Sequence, residues 1–222
     1  MLCCWKKILF SGYGENILKV SLIDTKICNL NSVVRALTYC GLEFEILNDA
    51  SSIKHSSRLI LPGVGSFKTA MQHLNENGFS DEIFEHVKVK QRPILGICLG
   101  MQLLSDYGEE EGGANGLRLI ARQVVKLSQT DLRYKVPNIG WCKVSFSKQS
   151  SLYRDIQNLS SFYHVHSYYF QCASRESVNA NIEFSSEKIC VGVSQNNVFG
   201  VQFHPEKSHA SGLQIFKNFF KV

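Results

Sequence analysis

A cysteine between two glycines is the first segment of the chain whose residues suggest chemistry. Gly96 and Gly100 stand two residues before and two residues after Cys98, between an apolar run and a helical pattern. A sharp strand-to-helix turn strains the backbone and crowds its flanks, which glycine tolerates best. N–H groups at the start of the following helix would stabilise a thiolate. The segment predicts either a nucleophilic Cys98 or a buried structural cysteine beside helix-packing glycines.

A histidine and a carboxylate follow another apolar strand near the end of the sequence. Pro205 restricts His204 to an extended conformation, and residues two apart in extended chain point to the same side. Glu206 can therefore hold the imidazole while His204 acts on Cys98. A tripeptide of this kind on its own is more typical of a surface turn. Together with the Cys98 turn, it predicts a Cys–His–Glu triad.

A glycine-flanked turn follows a third apolar strand, within residues 61–66. Its backbone N–H groups are suited to face a developing oxyanion, with the N–H of Leu99 as a second donor. A plain strand-to-helix connection capped by Ser66 is the alternative, and it is the simpler interpretation of the turn alone.

The composition is that of an ordinary globular protein. Of its 222 residues, 44% are hydrophobic and 19% are charged, which is enough apolar material to bury a core. This excludes a disordered tail protein, a collagen-like fibre and a disulfide-stapled miniprotein. The 24 basic and 19 acidic residues give a formal charge of +5 without any long run of like charge, so nucleic-acid binding is not suggested.

The eight cysteines are spread through the whole chain rather than concentrated in a short one. Because the chain also has no secretory signal and no CxxC pair, we predict that the protein is in the reducing cytoplasm and has no metal site. No stretch reaches the roughly 18 apolar residues that a membrane span needs, so no membrane association is expected.

Apolar periodicity predicts alternating strands and helices in the first half of the chain. The predicted strands are 17–23, 44–47, 58–61 and 93–97, and the predicted helices are 29–39, 67–74 and 81–89. Such alternation is typical of βαβ units, and hence of an α/β fold whose mostly parallel sheet carries helices on both faces.

The second half of the chain predicts added antiparallel strands. Strand-like segments are 117–127, 140–146, 161–170, 188–194 and 198–203, and a helix is predicted at 213–220. No internal repeat or linker interrupts them. Residues 19–222 are therefore predicted to form one domain behind an unassigned N-terminal extension, residues 1–18.

Five longer motifs contain or flank these segments, in the order PGVGSF, GICLGMQLL, VPNIGW, YHVHSYY and VQFHPEKS. Together they resemble the class I, triad-type glutamine amidotransferases, and more narrowly the glutaminase subunits of imidazole glycerol phosphate synthase. The resemblance implies a flavodoxin-like domain that hydrolyses L-glutamine to glutamate and ammonia without a cofactor. It also implies a heterodimer, in which a cyclase subunit of (β/α)₈-barrel fold receives the ammonia for histidine biosynthesis.

The resemblance assigns roles residue by residue. It implies that Cys98 is the nucleophile, His204 the general base and acid, and Glu206 the residue that orients the histidine. Three residues match the oxyanion hole: Gly63, Val64 and Leu99. Four match positions that bind the amino and carboxylate groups of glutamine: Gln102, Glu110, Ser167 and Tyr168.

Two places depart from the family's usual pattern. The turn after the first strand lacks its two glycines, and Lys26 and Cys28 tolerate positive φ poorly, so another loop conformation is expected. Asn138 and Cys142 stand where His and Asn are usual. Both places are expected near the partner surface. The alternative is therefore a paralogous subunit that supplies ammonia for amidination of a sugar in surface polysaccharide biosynthesis.

Two other classes of function remain open, a catalytically silent partner with the same fold and a cysteine peptidase or other hydrolase on a related scaffold. The complete set of triad residues favours an enzyme over the first. Gln102 and the spacing of His204 and Glu206 favour a glutamine site over the second. His166 is not needed in the triad, so a structural or interface role is predicted for it. The resemblance places residues 137–141 and 163–169, with Lys207, at or near the cyclase.

Overall fold

The computed structural model describes residues 19–25, 30–146 and 150–222. The helices are α1 (Leu30–Tyr39), α2 (Phe67–Glu76), α3 (Phe79–Phe84), α4 (Leu99–Leu103) and α5 (His209–Phe219). The strands of the first half are β1 (Val20–Ile23), β2 (Phe44–Leu47), β3 (Arg58–Gly63), β4 (Ile94–Cys98), β5 (Tyr107–Gly108) and β6 (Ala114–Asn115). Those of the second half are β7 (Arg122–Lys126), β8 (Asn138–Lys143), β9 (Ser145–Phe146), β10 (Ser161–His166), β11 (Tyr168–Cys172), β12 (Val178–Phe184), β13 (Glu187–Gln195) and β14 (Val198–Val201).

The main sheet has eight strands in the order β2-β1-β3-β4-β14-β13-β12-β9. The first five run parallel to their neighbours, and the last three are added antiparallel. Every residue of β1, β3, β4 and β14 is buried, because helices cover parallel strands on both faces. The predicted mixed α/β architecture is confirmed.

Two apolar cores lie on opposite faces of this sheet. On one face, α1 and α5 pack through Val33, Leu37 and Phe216 against the strands. On the other face, α2 and α3 contribute Phe67, Leu74, Ile83 and their neighbours. Helix α2 buries Phe67, Ala70, Met71 and Leu74 at helical spacing, and the Ser66 hydroxyl caps it by accepting from the N–H of Thr69.

Two small sheets stand beside the main one. Strands β8 and β10 form an antiparallel ribbon, and β11, β7, β5 and β6 form a four-stranded sheet. Within the described residues, no helix has the length and apolar character needed to span a bilayer.

Several predicted elements are wrong in extent. Segment 161–170 is two strands and not one, because the chain leaves the ribbon at Ser167 and β11 pairs with β7 instead. Segment 117–127 is a strand only over β7, since Arg118, with φ of 56°, leaves the extended region before that strand begins. Strand β12 has no counterpart among the predicted strands, because asparagines interrupt its apolar pattern.

Helix 81–89 is also placed differently, since α3 begins at Phe79 and a π-helical turn, Glu85–Val89, continues it. The predicted extension 1–18, the start of the first predicted strand and the loop that carries Lys26 and Cys28 lie outside the described residues.

Candidate active site

Cys98 lies at the carboxyl end of β4, in the middle of the main sheet. It is paired with Gly63 at the end of β3, while Ile97 is paired with Val201 at the end of β14. The parallel strands therefore deliver three predicted site segments to the same edge, where open α/β sheets bind their ligands. Tertiary pairing, and not spacing along the chain, brings them together.

The backbone at Cys98 is strained. Its φ of 55° and ψ of −111° are values that a non-glycine residue rarely adopts. The chain turns there from β4 directly into α4, which is only five residues long. A strained cysteine at a strand-to-helix turn is the backbone arrangement that the sequence predicted.

The glycines on either side of Cys98 are required by close backbone approaches. A Cβ atom on Gly100 would lie 1.8 Å from the carbonyl oxygen of Leu61, and one on Gly96 would lie 2.5 Å from that of Gly100. The structure confirms that crowding, and not chain flexibility alone, selects glycine at both positions.

His204 and Glu206 meet, although not for the reason that the sequence suggested. His204 is extended, with φ of −96° and ψ of 95°, but residues Pro205–Lys207 form a 3₁₀ turn. Glu206 therefore does not continue an extended strand. The turn still brings its Oε1 to 2.8 Å from Nδ1 of His204, with both side chains less than one-tenth exposed.

The surroundings of His204 favour its protonated form. Burial lowers the pKa of the imidazole, but hydrogen bonds to Cys98 and Glu206 and the charges of both partners act in the opposite direction and prevail, raising the pKa to about 10. The second carboxylate oxygen of Glu206 is buried without a hydrogen-bond partner among the described residues. The histidine thus lies between a sulfur and a carboxylate in a form that can donate a proton.

A cavity of about 400 Å³ opens above Cys98, a size typical of small-molecule sites. Eight of the ten predicted site residues line it: Val64, Cys98, Leu99, Gln102, Glu110, Ser167, Tyr168 and His204. Gly63 and Glu206 do not line the cavity. Gly63 packs against the start of α4, and Glu206 holds His204 through its contact with Nδ1. Val64, which is half-exposed after the end of β3, and the buried Leu99 are the two predicted oxyanion-hole residues that line the cavity.

The amide of Gln102 has a defined orientation. Its Nε2 donates to the carbonyl oxygen of Tyr168 at 3.1 Å and to Oε1 of Gln202 at 3.0 Å. Its own oxygen is left as an acceptor. Glu110 uses one carboxylate oxygen to accept from the N–H of Phe67 at 2.7 Å. Acceptors on Gln102 and Glu110 suit a positively charged ligand group.

Sequence reasoning missed Gln202. Its side chain is fully buried, and its Nε2 lies 3.7 Å from Sγ of Cys98. A signal was present, because Gln202 is a polar residue in the apolar strand predicted over 198–203, two residues before His204 and hence expected on the same side of the chain.

His166 lines the cavity but is held in a hydrogen-bond network of its own. Its Nδ1 donates to the carbonyl oxygen of Tyr168 at 2.9 Å, and its Nε2 accepts from the amide of Asn138 at 3.2 Å. Burial lowers the pKa of His166 to about 4, and the charge of His204 contributes in the same direction. A neutral imidazole with hydrogen bonds at both ring nitrogens agrees with a structural role for His166.

Asn138 and Cys142, which depart from the usual motif, contact one another. The thiol of Cys142 lies 3.7 Å from Oδ1 of Asn138, whose amide nitrogen reaches His166. The pair therefore belongs to the buried side of the β8–β10 ribbon. On the opposite side, Ile139, Trp141 and Val165 are exposed.

Comparisons with known proteins identify the relatives of the chain. The sequence model of the family described as "Glutamine amidotransferase class-I" matches residues 21–222. The chain is 43% identical to "Imidazole glycerol phosphate synthase subunit HisH" of Chlorobaculum tepidum, over 90% of this chain and 98% of the relative. It is 42% identical to "Imidazole glycerol phosphate synthase subunit HisH 1" of Campylobacter jejuni strain RM1221, over 91% of this chain and all of the relative.

Solved structures share the fold. A structure described as a glutamine amidotransferase aligns with a TM-score of 0.69 at 18% identity, covering 91% of this chain and 97% of the other. A glutamine amidotransferase from Thermotoga maritima aligns with a TM-score of 0.62 at 17% identity, covering 93% of this chain and 84% of the other.

Proposed function

Because this chain belongs to the class-I glutamine amidotransferases, we propose that it is the glutaminase subunit of an imidazole glycerol phosphate synthase. It hydrolyses L-glutamine to glutamate and ammonia. Its partner uses the ammonia to make imidazole glycerol phosphate and aminoimidazole carboxamide ribotide in histidine biosynthesis. The two relatives named above both carry that enzyme's subunit name over at least nine-tenths of this chain, so the sugar-modifying alternative is not favoured.

One observation carries the proposed chemistry. The buried His204, whose pKa is raised to about 10, lies between the sulfur of Cys98 and the carboxylate of Glu206, beside a cavity lined by Gln102 and Glu110. A cation next to sulfur stabilises a thiolate, which is the nucleophilic form of cysteine.

The first half-reaction forms a thioester. The thiolate of Cys98 attacks the carboxamide carbon of glutamine, and the carbon–oxygen π pair moves onto oxygen. Main-chain N–H groups of the Gly63–Val64 turn and of Leu99 are proposed to bind this oxyanion. Each donor would stabilise the transition state by about 3 kcal/mol. When the carbonyl reforms, the carbon–nitrogen bond breaks. His204 gives its proton to the departing nitrogen, which leaves as ammonia.

The second half-reaction releases glutamate. His204, now neutral, accepts a proton from water as the oxygen attacks the thioester carbon. Collapse of that intermediate breaks the carbon–sulfur bond and regenerates the thiolate and the charged histidine. Glu206 keeps the imidazole oriented through both halves, since its contact is to Nδ1 and leaves Nε2 for the reaction.

Four residues are proposed to position the substrate. The free oxygen of Gln102 and the carboxylate of Glu110 accept from the α-ammonium group. Ser167 and Tyr168, which follow the ribbon strand β10 and line the cavity, hold the α-carboxylate.

The proposed partner is a (β/α)₈-barrel cyclase in a heterodimer, both subunits being cytoplasmic. The apolar stripe of Ile139, Trp141 and Val165 on the β8–β10 ribbon supplies a surface for it, and Lys207 lies next to the ribbon over the ring of Tyr163. Because the cavity lies directly behind the ribbon, ammonia released there would need to travel only a short way to the partner.

The direct test is glutamate release from glutamine with the native cyclase present. We expect turnover that Cys98→Ala abolishes, while synthesis driven by added ammonium persists in that variant, because the cyclase needs only ammonia. Glutamate release no higher than in Cys98→Ala would refute the glutaminase assignment. Loss of the ammonium-driven reaction as well would mean that Cys98 serves assembly.

The pathway is tested separately by complementation. A histidine auxotroph that lacks this subunit, supplied with the native cyclase, should grow without histidine when it expresses the chain. Failure to grow, despite glutaminase activity in vitro, would rule out the histidine pathway and leave the chemistry standing.

A further inference from the structure

The side chain of Gln202 contacts two residues of the candidate site, Gln102 and Cys98, from a distant part of the chain. Its oxygen accepts from Nε2 of Gln102 at 3.0 Å, and its nitrogen lies 3.7 Å from Sγ of Cys98. Gln202 is fully buried, so water cannot substitute for either partner. Both ends of the amide therefore contact groups of the site.

The direction of these hydrogen bonds follows from one fixed point. The carbonyl oxygen of Tyr168 can only accept, so the Gln102 atom beside it must be the amide nitrogen. That nitrogen also faces Gln202, which must therefore present its oxygen there. The other end of the Gln202 amide is then the NH₂ group, and it faces the sulfur of Cys98.

A donor at this position acts on one protonation state of the sulfur. The Cys98 thiol has an acceptor for its proton in the carbonyl oxygen of Val165, at 3.8 Å. The thiolate has no proton to give and needs donors, which the amide of Gln202 and the charged His204 provide. A hydrogen bond made to the charged form of a group stabilises that form.

We infer that Gln202 is a positioning residue that holds the Cys98 sulfur as a nucleophile and fixes the Gln102 amide with its oxygen free for substrate. The inference rests on the proposed glutaminase function only for its kinetic consequences. The effect on the sulfur is a property of the folded chain and does not require glutamine. A single amide thus sets the reactivity of the nucleophile and the orientation of a substrate contact together.

The first test measures the sulfur without any substrate. Alkylation of Cys98 by iodoacetamide, followed by mass spectrometry of its peptide at fixed pH, should be about tenfold slower in Gln202→Met than in the unmodified protein. Gln102→Met should also slow alkylation, because it removes the partner that orients Gln202, although the Gln102 amide donates to Tyr168 and Gln202 and not to the sulfur. That second variant keeps the inference testable if Gln202→Met does not fold.

Asn179→Leu is the matched control. Asn179 is another buried amide with two partners, Tyr153 and Ser150, on β12 outside the site. In thermal unfolding, Asn179→Leu should lose about as much stability as Gln202→Met. Its Cys98 should nevertheless be alkylated at the same rate as in the unmodified protein. An unchanged alkylation rate in both Gln202→Met and Gln102→Met would overturn the inference.

The second test is kinetic and uses the complex with the cyclase. Gln202→Met should lower kcat for glutamate release and raise KM for glutamine, because both ends of the amide are lost. With Gln102→Met and the double variant, the changes in KM should be non-additive, since the two amides form one unit. Additive changes would overturn the link between them. If the unmodified complex releases no glutamate, the proposed function fails, while the alkylation result still decides the role of Gln202.

Discussion

The carbonyl oxygen of Val165 lies 3.8 Å from Sγ of Cys98. Val165 belongs to the β8–β10 ribbon, and its side chain is partly exposed to solvent. One residue therefore contacts the nucleophile through its main chain and presents an apolar side chain to the outside. A partner that contacts the side chain of Val165 would therefore be separated from the sulfur of Cys98 by that one residue.

Trp141 is the largest exposed side chain of that ribbon, 48% exposed and stacked on His209 with the ring centres 4.8 Å apart. If the ribbon is the docking surface, replacing Trp141 by a small residue should remove an aromatic contact with the partner. We expect Trp141→Ala to weaken cyclase binding by about tenfold, measured by calorimetry. Leu132→Ala, at an 89% exposed residue away from the ribbon, is the control and should bind normally. Equal binding by both variants would exclude the ribbon as the docking surface.

Glu206→Gln keeps the shape of the triad carboxylate but removes its charge. Because that charge and hydrogen bond help to raise the pKa of His204, the pKa should fall and the histidine should be held less firmly. We expect glutamate release to drop by about a hundredfold in a steady-state assay with the cyclase. Glu183→Gln, at an exposed carboxylate on β12, should retain full turnover. Undiminished turnover in Glu206→Gln would remove Glu206 from the triad.

Buried neutral histidines should make the fold sensitive to acid. The pKa of His86 is lowered to about 4, by burial and by the charges of Arg92 and Lys90, although a hydrogen bond to Pro93 opposes this. Below about pH 6.5, His86 is protonated in the unfolded chain but stays neutral in the folded protein. The free energy of unfolding therefore falls as the pH drops from about 6.5 to 4. The loss is on the order of 3 kcal/mol for this residue.

Urea unfolding at pH 7 and pH 4.5 measures this loss. His86→Phe keeps a ring at the site but cannot titrate, so its free energy of unfolding should depend less on pH over that range. His55→Phe, at an exposed histidine, should show the same dependence as the unmodified protein. Parallel curves for His86→Phe and the unmodified protein would contradict the assignment.

His204 should act in the opposite pH range. Its pKa is raised to about 10, so the charged form stabilises the folded protein fully below about pH 6.5, and this contribution is lost as the pH rises through 10. The free energy of unfolding should therefore decline between pH 7 and 9.5, and less steeply in His204→Gln. A decline of the same slope in both proteins would show that other groups cause it.

Gly100→Ala should destabilise the protein by about 3 kcal/mol, because the added methyl group would lie 1.8 Å from the carbonyl oxygen of Leu61. Gly41→Ala is the control. That glycine has φ of +65° but nothing within 4 Å of the added carbon, so it should cost only about 1 kcal/mol. Thermal unfolding of both variants gives the comparison, and an equal loss would contradict crowding as the reason for Gly100.

Local patterns in the sequence predicted most of the sheet. Strands such as β2 and helices such as α1 and α2 follow from apolar periodicity, because each is stabilised by residues a few positions apart. Errors occur where distant pairing decides. Nothing near Ser167 indicates that the chain changes sheets there. The partners of β10 and β11 are β8 and β7, and the paired residues are 18 to 28 and 42 to 50 positions apart in the chain.

The residue types that meet at the site can be read from the chain alone, because the strained turn at Cys98 needs its glycines and the motif around His204 carries its carboxylate two residues away. How those residues are held depends on tertiary structure. The bridge from Gln202 to Cys98 and Gln102 joins residues about 100 positions apart. Such a contact depends on the alignment of parallel strands from different parts of the chain, and no local preference of the backbone specifies it.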